Sequence, residues 1–170
     1  MKTEIKVLDF LKTGRFGTVE MNDSRETVIH KLGKPDGDHN YDVVKPRKGI
    51  YYSMYEFMFL DDKLESIQND HFDIINPELM EFENDTIKIN SGFLKADRIK
   101  KMKEIESELK LLHIEYDIVD YWGRKAIKTS GNVIIDFNDQ QWSDDEDDFV
   151  KINNIEDYEL IGIRYHPHLD

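Results

Sequence analysis

The chain has no cysteine among its 170 residues. That excludes a disulfide framework and a thiolate metal site, and it fits a reducing cytoplasm. Long apolar runs are missing too. No stretch approaches the ~20 residues needed to span a bilayer. The N-terminal "MKTEIKVLDFLKTG" interleaves charges where a signal peptide would carry an apolar block and a small-residue cleavage site. A soluble, cytoplasmic protein is expected. Basic charge is also scarce. The net charge is −13, of which residues 1–74 carry −3 and residues 75–170 carry −10. Phosphate contacts need lysine and arginine, so nucleic acid is not an expected partner, and neither is an anionic membrane. The acidic excess serves solubility, and it also suits a basic protein partner.

What is present reads as short helices and strands. "IKVLDFL" (5–11) is compatible with a short helix or a strand, and "TVEM" (18–21) with a short strand. A helix follows over 24–32, with Asn22 or Ser24 as cap and Val28, Ile29 and Leu32 on one face. Gly33 and Pro35 stop it. "DGDHN" reads as a loop and "YDVV" as a strand. The strongest strand signal is "IYYSMYEFMFL" (50–60), rich in aromatics at period two. Taken as one strand, it puts Tyr51, Tyr55, Phe57 and Phe59 on one face and Ile50, Tyr52, Met54, Glu56 and Met58 on the other. "DDK" is a tight turn, and "LESIQNDHF" is the returning strand. Residues 75–96 form a connector containing a short strand, "TIKI". A second helix spans 97–112, capped by Asp97, with Ile99, Met102, Ile105, Leu109 and Leu112 along one side. "IEYDIV", the hairpin "RKAIKT"–"NVIIDF" across "SG", an acidic loop "WSDDEDDF" and a last strand "YELIGIRYH" complete the chain.

The two halves repeat an order of helix, strand, strand, loop, strand. This predicts an α+β protein with a first αβββ unit over 1–74, a connector over 75–96 and a second αβββ unit over 97–170. The units would share one curved sheet with helices on one face. The other face would be open to solvent or a partner, with Tyr52, Met54 and Met58 on it; tyrosine and methionine suit interfaces. The alternative is a central strand covered on both sides.

No motif carries chemistry. Asp61, Asp62 and Lys63 form the hairpin turn, roughly 23 Å along the strand from Asp70 and His71, so they share no site. His166, His168 and Asp170 could start a zinc site, but a closed site needs about four ligands, and a frayed terminus is expected instead. Asp36, Asp38 and His39 lack the calcium-loop pattern. His30 and His113 read as surface or boundary residues. There is no glycine-rich phosphate loop, nucleophile elbow or paired-histidine zinc helix. No catalytic residue, metal or cofactor is expected. The acidic run Asp144, Asp145, Glu146, Asp147 and Asp148, beside Trp142 and Phe149, reads either as a solvated loop or as a docking point for a cationic protein surface.

The stretches "FLKTGRFGTVEMNDSRETVIHKLGKPD", "MYEFMFLDDKLESIQNDHF", "SGNVIIDFND" and "LIGIRYHP" resemble small bacterial proteins of tandem layout. Some of these are immunity proteins of polymorphic or contact-dependent toxin systems. The helix–"LGKP"–strand order is also similar to the tandem units of the β-lactamase inhibitor protein. The chain departs from that pattern at Glu20–Met21–Asn22, where a glycine is expected, and in its longer acidic loop. The resemblance implies a non-enzymatic immunity or inhibitor protein that neutralises a basic toxin, perhaps a nuclease. Trp142 and residues 144–148 would form one contact, and Tyr52, Met54 and Met58 a second. The alternatives are a small-ligand-binding or scaffold protein using the open sheet face, and a hydrolase built on His71.

Overall fold

A computed structural model describes residues 2–40, 47–72, 76–95 and 98–167. The expected "YDVV" strand, the Asp97 cap and the His168 and Asp170 end of the chain lie outside these residues.

The chain opens with strand β1 (Thr3–Lys6), which runs directly into helix α1 (Val7–Thr13). Val7, Phe10 and Leu11 turn inward, and Gly14, at φ 70°, ends the helix by donating its N–H to the Phe10 carbonyl. Helix α2 (Arg25–Leu32) starts at Ser24, whose side chain accepts the Thr27 N–H at 3.1 Å. Of the two candidate caps, the serine is the one used, because its oxygen reaches an orphan donor of the first turn. Gly33 closes the helix at φ 85°, and a Cβ there would meet Thr86 Oγ1 at 2.7 Å.

Four strands follow: β2 (Gly37–Asn40), β3 (Arg47–Tyr52), β4 (Tyr55–Leu60) and β5 (Lys63–Asn69). Two short strands, β6 (Phe82–Glu83) and β7 (Ile87–Asn90), lie in the middle of the chain. Helix α3 (Met102–Leu111) follows, with Met102, Ile105 and Leu109 buried. Glu104 reaches back to accept the Lys101 N–H at 2.9 Å, which fixes the start of the helix there. The second half supplies β8 (Tyr116–Tyr121), β9 (Arg124–Thr129), β10 (Ile134–Asn138), β11 (Gln140–Ser143), β12 (Asp148–Lys151) and β13 (Glu159–Tyr165).

Eight strands form one antiparallel sheet in the order β2-β3-β4-β5-β13-β10-β9-β8. A separate three-stranded sheet has the order β1-β7-β6, with β1 parallel to β7, and β11 and β12 form a two-stranded ribbon. This overturns the expectation of two αβββ units with helices on one face. The described chain has three α-helices, and sheet dominates it. The connector is a structural part of its own: Thr3 pairs with Ile87 and Lys6 with Asn90. No local pattern reports a pairing that distant in sequence. "DGDHN" is a strand, not a loop, since β2 pairs with β3 over four residues. "TVEM" forms no strand and contributes only the single bridge of Phe16 to Val19.

The run 50–60 is two strands, not one. Tyr52 and Tyr55 face each other across a two-residue turn, Ser53–Met54, with Ser53 at φ 51°. Each turn resets the in-out alternation. Ile50, Tyr52, Tyr55 and Phe57 therefore all point into the core, while Tyr51 and Glu56 lie on the other face. Phe16 packs edge-on to Phe57 at 5.3 Å, and Phe10 packs on Tyr165 at 5.8 Å. Two hairpin turns, Asp61–Asp62 and Trp122–Gly123, are left-handed at both positions, the type I′ form that matches the twist of the flanking strands. Gly131 lies against helix α1, where a Cβ would meet the Gly14 nitrogen and, at 2.7 Å, the Leu11 carbonyl.

Candidate functional site

Two surfaces stand out from this frame. The first is the β11–β12 ribbon, the stretch expected to be an acidic loop. Trp142 pairs with Phe149 across the two strands, and their rings meet edge to face at 5.4 Å. Neither is covered: Trp142 is 52% exposed and Phe149 57%. Asp144, Asp145, Glu146, Asp147 and Asp148 surround them at the tip, all exposed, with Asp147 at φ 50° completing the turn. The Trp142 indole donates to Asp144 Oδ1 at 3.0 Å, which orients the ring. At the base, Ile152 is buried and donates its N–H to the Asp139 carbonyl at 2.7 Å. Trp142 and the five acids thus form one continuous feature.

The second expected contact is not formed. Tyr52 is fully buried in the core, and its hydroxyl donates to the Gly33 carbonyl at 2.8 Å. Met54 sits in the Ser53–Met54 turn, and Met58 is buried on the opposite sheet face, between Gly49 and Ser66. The three residues lie in three different places because the Ser53–Met54 turn resets the alternation.

The sheet face away from the core instead carries a charge network that sequence patterning missed. Asp136, on β10, is fully buried. It accepts from Arg124 Nε at 3.0 Å, Arg124 Nη2 at 2.7 Å and Arg164 Nη1 at 2.6 Å. Arg164 Nε reaches Asp70 at 2.8 Å. Two guanidiniums and two carboxylates from β9, β10, β13 and the end of β5 thereby close on one another. Burial works against the Arg164 charge, but Asp70 and Asp136 outweigh it and its pKa is raised. Burial pushes the Asp70 carboxyl up, with Arg164 opposing. Trp122, 68% exposed in its turn, lies over Arg164 at 4.9 Å and stacks on Tyr121 at 4.6 Å. The sequence signal was a charged residue within each of two apolar strands, "IIDF" and "IGIRY".

Beside this network lies a cleft of about 660 Å³ lined by Tyr121, Trp122, Lys128, Ile134 and His166, among others. Burial, with Arg164 and Arg47 nearby, holds His166 down at about 4. His71 and the Asp61–Lys63 turn do not reach this cleft. Among the described residues no group of three histidines or carboxylates is arranged to hold a metal ion, and no helix is long and apolar enough to cross a membrane. Comparison of the chain with known protein families, characterised proteins and solved structures finds no match.

Proposed function

We propose that the chain is a non-enzymatic binding protein that captures and neutralises a basic protein partner, a toxin being the class implied by the sequence resemblance. One observation carries this reading: an exposed tryptophan–phenylalanine pair stands on a ribbon outside both larger sheets, ringed by five acids. Solvation of a loop needs no exposed aromatic pair. Aromatic anchors amid like charge are what a complementary protein surface uses, with the charges steering encounter and the rings slowing release.

The test is to look for a toxin gene beside the gene of this chain, co-express the chain with any toxin found there, score growth, and measure their association against salt. Steering of this kind raises association ~10- to 1000-fold and fades with ionic strength. Changing Asp144, Asp145, Asp147 and Asp148 to asparagine slows association at low salt and flattens its salt dependence, and Trp142→Ala speeds dissociation. An unchanged on-rate in the four-asparagine variant refutes the role of the acids. Absence of both protection and binding refutes the reading as a whole.

A second reading, a small-ligand protein, is favoured by the cleft beside Trp122, whose volume lies within the ligand-pocket range of ~300–1,000 Å³. Trp122 fluorescence titrated with a ligand panel separates it from the first.

A further inference from the structure

We propose that the cleft beside Trp122 binds a small aromatic carboxylate, its ring against the indole and its anionic end at Lys128 and His166. This rests on the small-ligand reading of the cleft and does not depend on the ribbon.

Strand register lays the cleft out. Lys128 on β9 pairs with Ile134 on β10, and Ile134 pairs with Arg164 on β13, so the three stand in one row across the sheet. Ile134 is two residues before Asp136 and therefore shares the sheet face of the charge network. Neighbouring strands lie ~4.8 Å apart, which puts the Lys128 backbone roughly 10 Å from that of Arg164. Trp122 lies over Arg164, at the far end of this row. Val119, Ile134 and Pro167 add apolar wall. A flat apolar body fits at the Trp122 end, and a short arm carries its charge towards Lys128.

The polar groups of the lining select the sign of that charge. Lys128 is exposed and makes no ion pair among the described residues, although Asp117 stands opposite it in the register. Nε2 of His166 is buried and makes no hydrogen bond, and a neutral imidazole can carry its proton there. The Tyr121 hydroxyl is also buried without a hydrogen bond, with the Arg164 guanidinium near it. Buried polar groups are normally bonded, so each exception asks for a partner. All three groups can donate, and a carboxylate only accepts. The acid in the lining, Asp120, already holds Lys125 at 2.7 Å. Asp136 and Asp70 are closed on the two arginines. Arg164 and Arg47 set a positive potential at His166. A cationic ligand therefore meets no uncommitted carboxylate in the lining, and one uncompensated lysine matches a single negative charge.

The probe is phenylpropionate, set against phenylpropylamine, which reverses the charge, and hexanoate, which lacks the ring. Amide, indole and imidazole NMR shifts are followed in the intact chain. The expected result is saturable movement of the Trp122 indole N–H and the His166 ring with phenylpropionate, at roughly millimolar concentration or tighter. The other two probes should bind there at least tenfold more weakly. Loss of one charge-assisted contact is worth about tenfold or more. Lys128→Gln, a change at an exposed site, should therefore weaken phenylpropionate at least tenfold while leaving the free protein's spectrum otherwise intact. Trp122→Ala should lower its affinity to that of hexanoate. Equal binding of phenylpropionate and phenylpropylamine, or wild-type affinity in Lys128→Gln, overturns the carboxylate and leaves the small-ligand reading standing. Equal binding of phenylpropionate and hexanoate overturns the aromatic ring and does the same. No saturable shift at Trp122 or His166 with any of the three overturns both the proposal and that reading.

Discussion

Replacing Asp136 by asparagine tests whether the charge network is a structural keystone. The carboxylate is fully buried and accepts four hydrogen bonds, three from guanidiniums at 2.6–3.0 Å and one from the Phe137 N–H at 2.9 Å. Asparagine keeps one acceptor oxygen, which can still serve Arg124 Nε and the Phe137 N–H. The amide nitrogen in place of Oδ2 forfeits the bonds from Arg124 Nη2 and Arg164 Nη1 and aims donors at donors. Each bond to a charged group contributes about 1.5–3 kcal/mol. Removing one member of a buried pair costs about 3–5 kcal/mol. Two local features reduce the loss: Arg124 is a quarter exposed and recovers water, and Arg164 keeps Asp70. The expected destabilisation is about 3–4 kcal/mol, or a fall of about 6–16 °C in melting temperature for a chain of this length. Urea and thermal melts measure it. A double-mutant cycle with Arg124→Gln should return a coupling of at least about 1.5 kcal/mol. A loss below about 1 kcal/mol, or additivity of the two changes, refutes the argument.

Other substitutions probe the rest of the frame. Gly131→Ala drives a methyl into the Leu11 carbonyl and the Gly14 amide, so a loss of about 2–3 kcal/mol is expected in denaturant melts. Tyr52→Phe removes the bond to the Gly33 carbonyl; it should cost about 1 kcal/mol and leave partner binding unchanged, because the ring lies in the core. His166 gives a pH test. Its folded pKa, about 4, lies below its ordinary value of 6.5. The unfolded chain then binds a proton that the folded chain refuses, and stability falls as pH drops from about 6.5 towards 4. Asp70, raised by burial, acts with the opposite sign just above its ordinary range. His166→Gln should flatten the slope between pH 6.5 and 4.5 by about 1–2 kcal/mol, after allowance for partial exposure. An unchanged slope contradicts the assignment. Trp142→Ala should leave the melting temperature within about 1 °C while speeding amide exchange in 140–151, because the half-exposed ring packs on Phe149 and bonds Asp144 within the ribbon itself.

The sequence was most legible where one element makes its own signal. The starts and stops of α2, the Asp61–Asp62 turn, and strands β9, β10 and β13 follow from caps, turn chemistry and alternation that act within ten residues. It was least legible where the deciding contact is remote. Thr3–Lys6 is a strand because Ile87–Asn90 lies beside it, and β2 is a strand because β3 offers an edge. The error over Tyr52 has a different cause. A two-residue turn with a serine at positive φ is costly and carries no glycine or asparagine to announce it, so 50–60 reads as one strand and every face beyond Tyr52 is inverted. The charge network shows the same limit. Asp70, Arg124, Asp136 and Arg164 come from four separate segments, and each alone is an unremarkable charge.

On the proposed reading, stability and recognition fall on different parts of this molecule. The ribbon β11–β12 has two strands, and two strands alone are marginal in water. Its tip has one aromatic contact, of the kind that adds about 0.5–1.5 kcal/mol, and five clustered carboxylates that oppose it. A segment so weakly held opens locally at small cost, so the main sheet does not depend on it. A cationic partner reverses the balance, since it neutralises the repulsion and covers the two rings at once. The network on the sheet face is the converse case: its charges are satisfied internally and buried, and they offer a partner little beyond Trp122. The same residue types therefore serve opposite ends. Acids at the ribbon tip, without ion pairs among the described residues, are open to solvent, while acids closed on arginines beneath Trp122 join strands from both halves of the chain.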